Sequence, residues 1–345
     1  MTRSALRPRA QTRRRDLRVL LAIPVAASLF LSGCSGSEDG EGEPEEQSTA
    51  GGATLSGQWP LTGLPAEGAA PKYPVIVAKI DNTSASSPQI GLSKADLITE
   101  ELVEGGSTRL AVFYYSQLPQ VVGPLRSFRA TDIGIVQPAD GTLLGSGGAK
   151  PTVRRIKEAK IKTVTEASGA PGYFRDGNRT APYNLFMKLP MLVKKLKSPG
   201  APENYFPWGS KEDFPKGQPA TGLAAEFSAG HTTRWQYRGG KYTNLNSVAA
   251  ASDRFSPDTV LVLRVQVGDA GYLDPAGNPV PETKFTGTGD ALVFHGGRVV
   301  RGSWSKKGFD AGMELRTKAG NLTLPAGKVW MELVPAEGGD VQIAK

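Results

Sequence analysis

A single cysteine, Cys34, occurs in 345 residues, so no internal disulfide can form and no thiolate metal cluster can assemble. Histidine is almost as scarce: His231 and His295 are the whole supply. Multi-histidine zinc chemistry goes with it, and any metal would need oxygen ligands. No metal and no cofactor is therefore expected. The apolar run from Val19 to Leu31 stops at thirteen residues, short of the roughly 20 that a spanning helix needs. No internal repeat is present.

What the chain has in quantity is glycine, proline and enough apolar material for a core. With 39% hydrophobic residues, 42 Gly and 26 Pro, it reads as a turn-rich, strand-rich protein whose length suits two domains. The N-terminus has its own logic. Arg3, Arg7, Arg9, Arg13, Arg14, Arg15 and Arg18 precede the apolar run, and Leu31-Ser32-Gly33-Cys34 follows it. This order resembles a bacterial lipoprotein signal, in which small residues before the cysteine fit the signal peptidase and the thiol takes a diacylglycerol. Residues 1–33 are thus expected to be signal peptide, and Cys34 the lipidated residue and membrane anchor. Its partner is membrane lipid, at the outer, extracytoplasmic face of the cytoplasmic membrane. Thr12 to Leu17 resembles a twin-Arg signal without its Phe, so general export is the expected route.

The formal charge of +8 is unevenly spread: residues 1–33 carry seven Arg and one Asp, whereas residues 35–57 carry six acids and no base. The segment 34–57 therefore reads as a disordered acidic tether; two dozen flexible residues reach roughly 25–30 Å. Residues 58–345 are left with +8 of their own. A basic body outside the cytoplasm suits lipid headgroups, teichoic-type polymers or phosphorylated glycans, not nucleic acid.

The pattern predicts an α+β fold: a mixed α/β domain over 58–200, a Pro-rich linker over 201–222, and a mostly β domain over 223–345. Strands are expected at Val75–Ile80, Leu97–Glu104, Thr108–Tyr115, Thr259–Val267, Ala291–Phe294, Arg298–Trp304 and Lys328–Val334. Helices are expected at Pro151–Lys162 and, interrupted by Pro190, at Leu185–Lys197.

In the first domain, Pro60-Leu-Thr-Gly-Leu64, Ile80-Asp81-Asn82, Pro88 to Leu92, Ala95-Asp96, Glu100, Val103 to Gly106, Thr108-Arg109, Gly123 to Ser127, Arg129, Gly147-Gly148, Arg175-Asp176 and Arg179 to Asn184 follow one another in a recognisable order. In the second, Gly302 to Lys306 and Trp330 to Pro335 do so. The chain resembles the YerB-like lipoproteins over nearly all of residues 60–345. The resemblance implies a two-domain exported lipoprotein and a domain of unknown function; it supplies no reaction. Relatives carry His where this chain has Tyr183, and before the Gly-Gly pair where it has Gly145, so chemistry that needs either imidazole does not carry over.

The residues that could bind or react cluster in the first domain. Arg109, Arg126, Ser127, Arg129, Gly147, Gly148, Arg175, Asp176, Arg179 and Asn184 form a candidate ligand-binding set at strand ends and Gly-rich loops. Guanidinium forks bind phosphate or carboxylate in pairs of hydrogen bonds, but the same arginines could simply pin loops to nearby acids. Asp81, Glu100 and Glu104 are the catalytic candidates. On one strand, Glu100 and Glu104 would stand ~13 Å apart at ~3.3 Å per residue, beyond the ~5–9.5 Å of paired-carboxylate glycosidases; only Asp81 could complete a pair. No ligand spacing makes the three a Ca²⁺ or Mg²⁺ site. The Gly145–Gly148 loop before a helix either cradles an anion or is a tight turn. Trp208, Trp235, Trp304 and Trp330 are either sugar-stacking or core residues, and His231 and His295 are expected in exposed turns.

The function this supports is an envelope lipoprotein that binds an anionic cell-wall polymer or acts as an assembly factor with another envelope protein. The alternative is a hydrolase or transferase acting on a glycan or phosphodiester through Asp81, Glu100 and Glu104.

Overall fold

The computed structural model describes residues 57–345. The expected signal, Cys34 and nearly all of the tether lie outside the described residues. The α+β expectation holds, with strands dominating. In chain order the first half carries β1 (Ile76–Asp81), β2 (Leu97–Leu102), β3 (Thr108–Tyr114), α1 (Asp132–Val136), β4 (Thr142–Leu144), α2 (Lys150–Glu158), β5 (Lys162–Val164), β6 (Tyr173–Arg175), β7 (Leu185–Met187) and α3 (Leu189–Val193). Two short strands follow, β8 (Trp208–Gly209) and β9 (Gln218–Pro219). Apart from a 3-10 turn at Ala251–Asp253, the second half is built of strands: β10 (Gly222–Ser228), β11 (His231–Arg238), β12 (Lys241–Asn244), β13 (Thr259–Leu273), β14 (Pro279–Lys284), β15 (Gly287–His295), β16 (Arg298–Lys306), β17 (Glu314–Thr317), β18 (Gly320–Asn321), β19 (Leu324–Pro325), β20 (Val329–Pro335) and β21 (Asp340–Ala344).

One 13-stranded sheet runs through both halves in the order β18-β17-β16-β15-β13-β20-β2-β3-β1-β4-β5, with β14 paired to β13 and β9 to β16 off this path. The seam is a parallel pair, β2 with β20, in which Glu100 stands opposite Glu332. Central strands are buried on both faces, so they read as continuous apolar runs and not as alternating ones; all six residues of β1 are buried. Ile76, Ala78 and Ile80 point into one core, Val75 and Val77 into the other. The first core is roofed by the small sheet β12-β11-β10-β21, which contributes Leu223, Ala225, Phe227 and Trp235, and by Leu189 and Leu192 of α3. The second is roofed by α1, α2 and the chain around Tyr205 and Phe206. Each large apolar side chain so buried contributes roughly 1.5–3 kcal/mol.

Several local expectations change. The expected 185–197 helix is strand β7 followed by the short α3, because Pro190 sits in the first turn of a helix and does not interrupt one. A residue before proline is disfavoured in helical conformation, and Met187 is captured by pairing with Val122. The expected 97–104 strand ends at Leu102; Glu104 lies in the turn Glu104–Gly106, where Gly105 and Gly106 adopt φ of 69 and 68°. The hairpin between β15 and β16 turns on Gly296 and Gly297, both at positive φ, as a two-residue primed turn requires. The segment 201–222 is extended, as its prolines dictate, yet Tyr205 and Phe206 are buried and the Tyr205 hydroxyl donates to Ile135 O at 2.9 Å. No helix among the described residues is long and apolar enough to cross a membrane.

Candidate functional site

β1, β2 and β4 run parallel to one another within the large sheet, so their carboxyl ends open on one side, where α/β sheets commonly bind ligands. The loop from Gly123 to Arg129 threads this end. Arg126 N donates to Lys79 O at 2.9 Å, Ser146 N to Arg126 O at 3.0 Å, and Phe128 N to Gly147 O at 2.7 Å. These bonds lock the Arg126 loop to both β1 and the Gly145–Gly148 loop. Gly145 is required there: a Cβ would come within 2.6 Å of Arg126 O and of the Phe128 ring. Gly147 is needed for its φ of 109°.

The arginines then separate by role. Arg126 Nη1 donates to Asp81 Oδ2 at 3.0 Å, and the guanidinium lies 5.0 Å over the Tyr183 ring. Its side chain keeps 18% exposure. Ser127 Oγ and Ser146 Oγ face each other beside it at 3.4 Å. Arg109 and Arg129, at 5% and 8%, are internal. Both clamp Glu104: Arg109 Nη2 at 3.0 Å and Arg129 Nε at 2.8 Å, with Arg129 Nη2 on the same carboxylate. Burial works against the Glu104 charge, but these two guanidiniums outweigh it and hold the carboxyl below its usual range. Burial, aided by Arg129, pulls the Arg109 guanidinium down to about 10. Arg175 is spent on Glu166 and Asn184, and Arg179 on Asp176, Ser86 O and Pro88 O. Asp176 N closes the same loop onto Asn184 O at 2.8 Å. Of the expected contacts, Arg126, Ser127, Gly147 and Gly148 therefore meet where the two loops join at the strand ends, the crevice position of an α/β sheet. Arg109 and Arg129 lie beneath it, and Arg175, Asp176, Arg179 and Asn184 hold the loop that brings Tyr183 to it.

Alongside runs a basic face. Lys150, Arg154 and Lys157 of α2, Lys160 of the turn after it and Lys162 of β5 are exposed, with Glu158 the one acid between them, 3.8 Å from Arg154. Arg155 turns the other way and forms a two-bond pair with Glu282 of β14 at 2.9 and 2.5 Å, tying α2 to the β13–β14 arm.

The catalytic candidates do not converge. Asp81 is engaged by Arg126, Glu104 by two arginines, and Glu100 is fully buried on the opposite face of the sheet, in the core roofed by the small sheet. Glu100 Oε1 accepts from Asn82 Nδ2, Thr108 Oγ1 and Thr233 Oγ1 at 2.9, 2.7 and 2.9 Å and meets His231 Nε2 at 2.9 Å; Oε2 accepts from Trp330 Nε1 at 3.2 Å. His231 is thus no exposed turn residue: the small sheet carries it onto Glu100. His295 is half-buried as well, bonded to Thr259 Oγ1 at 2.9 Å. Glu332 accepts from Trp235 Nε1 at 2.7 Å, so Trp235 and Trp330 serve the core and not a sugar platform. Trp304 too is buried, bonded to Arg264 O, and half-buried Trp208 donates to Pro60 O.

A further buried cluster went unpredicted. Lys79 Nζ bridges Glu101 at 2.5 Å and Asp132 at 2.7 Å, all three wholly inaccessible. Burial, with the Glu101 charge adding to it, pushes the Asp132 carboxyl up to about 6. Glu101, Lys79 and Glu332 each interrupt an apolar run, and a charge inside such a run is the sequence signal for a buried pair. No group of three or more His, Cys, Asp or Glu among the described residues is placed to hold a metal ion.

Comparison with known proteins gives a consistent lineage. Residues 61–201 match the N-terminal domain of the protein family of unknown function DUF3048, and residues 223–331 match its C-terminal domain. YerB of Bacillus subtilis, described as a candidate lipoprotein, is 24% identical over 293 residues, covering 80% of this chain and 86% of YerB. A crystal structure of Bacillus subtilis YerB superposes with a TM-score of 0.69 at 19% identity, covering 83% of this chain and 99% of that one. At that identity the superposition establishes a shared fold. With both family domains present in order and the YerB fold shared over 83% of its length, the chain belongs to the DUF3048 family and is a homologue of YerB.

Proposed function

We propose that this protein is a lipid-anchored envelope lipoprotein that holds an anionic envelope ligand in the Arg126 crevice. The observation that supports it is the placement of Arg126. Among the three arginines nearest the strand ends it alone keeps appreciable exposure, and Asp81 and Tyr183 orient it. It stands beside two hydroxyls and a glycine loop whose backbone can approach a phosphate or carboxylate closely. Five exposed bases between Lys150 and Lys162 extend the positive field away from the crevice, which suits a polymer of repeating charge better than a single small anion. An envelope hydrolase or transferase would need an open carboxyl pair, and Asp81, Glu100 and Glu104 supply none: two are clamped by arginine and the third is sealed in the core.

Titration calorimetry with poly(glycerol phosphate) oligomers tests the reading. Binding should weaken as salt rises, and Arg126→Ala should lower affinity about tenfold, the loss of one charge-assisted contact. Equal affinity in the variant, or no binding by the unaltered protein, would overturn it.

A further inference from the structure

A second concavity lies far from the Arg126 crevice, where the small sheet ends above the large one. This cleft of about 460 Å³ is lined by Arg264 of β13, Asp290, Ala291 and Leu292 of β15, Arg301 and Gly302 of β16, and Asp340 and Val341 of β21. Its size falls within the usual range for ligand sites. Two features give it a direction. β21 is the outer strand of the small sheet, paired with β10 on one side, so its other edge presents backbone donors and acceptors along the cleft. Arg264 is fixed by Nη2 bonds to Ala336 O at 2.9 Å and Gly339 O at 2.8 Å, while its buried Nη1 has no partner among the described residues.

The lining also excludes simpler occupants. Two guanidiniums are balanced by the carboxylates of Asp290 and Asp340, so the cleft does not favour a polyanion. Leu292 and Val341 give it an apolar wall. Val341 and Ile343 already pack onto the core below the small sheet, so a strand laid against β21 would extend that sheet over Leu292 and Arg301.

We infer that this cleft captures the carboxylate end of an extended peptide, which adds as a fifth strand to the free edge of β21 with its carboxylate directed to Arg264 and Arg301. Backbone pairing supplies affinity in such strand addition, and the charged end fixes register.

The probe is a fluorescent library of N-acetyl pentapeptides that alternate valine with varied polar residues, prepared both as free acids and as C-terminal amides. Free acids should bind the full chain and slow hydrogen exchange at Gln342 to Ala344; amides should bind about tenfold more weakly. Arg264→Met should abolish the preference for the free acid. Because Arg264 also holds the turn into β21, Arg301→Glu, an exposed change, is the second variant, and it should weaken free-acid binding about tenfold. Absence of binding by either form, equal binding by both, unaltered exchange at β21, or unchanged affinity in Arg301→Glu would each overturn the inference.

Discussion

Glu100 and Glu332 stand opposite each other on adjacent parallel strands, and neither is accessible to solvent. Two carboxylates in that position cannot both ionise cheaply. The surroundings decide which keeps the proton. Burial penalises the Glu100 charge, but the bond and charge of His231, with Thr108 and further donors, outweigh it and hold its pKa low. Glu332 has burial and the neighbouring Glu100 charge against it, and its pKa is pushed well above the usual range. The His231 ring, disfavoured as a cation by burial, is raised by its bond to Glu100 and by the Glu100 charge.

The signs predict the pH dependence of stability. Glu332 and His231 have folded pKa values above their unfolded ones of 4.5 and 6.5, so their contributions are complete below those values and fade as pH rises through the folded ones. Glu100 is depressed, so its contribution is present above 4.5 and fades on acidification. Stability should therefore peak in mild acid, between about 4.5 and 6.5. Glu332→Gln, which keeps the acceptor for Trp235 and a donor toward Glu100, should be more stable than the unaltered protein at pH 7 by about 1–3 kcal/mol. The gain should shrink toward pH 4. Urea unfolding across this range measures it, and a constant difference at every pH would refute the shared-proton arrangement.

Lys79 makes a different prediction. It is the single cation between the Glu101 and Asp132 carboxylates in a site closed to water. Lys79→Met leaves both acids without their counter-charge and should destabilise by about 3–5 kcal/mol. Converting the acids as well, in Lys79→Met/Glu101→Gln/Asp132→Asn, removes the stranded charge and should recover most of the loss. Denaturant midpoints of the single and triple variants decide it: a triple variant no better than the single one would mean that Lys79 acts by shape and not by charge.

How far the sequence could be read follows from the same residues. The central strands were legible because runs such as Val75 to Ile80 and Thr259 to Val267 are dominated by apolar, mostly β-branched residues, and the β15–β16 turn was legible from Gly296-Gly297. Glu100, Asp81 and Arg126 stood out as charges within a strand, at a strand end and after a Gly-Pro turn. Their grouping was not legible, because the face a strand residue takes depends on where the strand stops. Two residues of difference at the end of β2 moved Glu104 from strand to turn and gave it to Arg109 and Arg129. His231 needed the position of a separate sheet, 131 positions along the chain from Glu100, and no local pattern carries that information. The seam between β2 and β20 is likewise a long-range pairing, invisible to periodicity.

Gly145 offers a test of the crevice that adds atoms without removing a charge. In Gly145→Ala the methyl group would meet Arg126 O and Phe128 Cε1, each at 2.6 Å, so the Arg126 loop must shift. Overpacking of this kind costs roughly 1–3 kcal/mol. Affinity for poly(glycerol phosphate) should fall together with thermal stability, whereas Gly169→Ala, at a turn with open space around the Cβ position, should lose only stability. Calorimetry of the two variants side by side separates the outcomes, and equal loss of binding in both would mean that the crevice at Arg126 is not where the ligand sits.

The anchor is tested at Cys34. With two acyl chains the chain should partition with membranes, since each buried methylene contributes ~0.8 kcal/mol. Cys34→Ser removes the only thiol, so the variant should appear in the soluble fraction or retain its leader, and intact-mass measurement of the native protein should show a diacylglyceryl adduct on a chain that begins at residue 34. Cys34→Ser should leave the unfolding midpoint of the body formed by residues 57–345 unchanged. Membrane association that survives the substitution would place the attachment on the basic body itself, where rising salt should then release it.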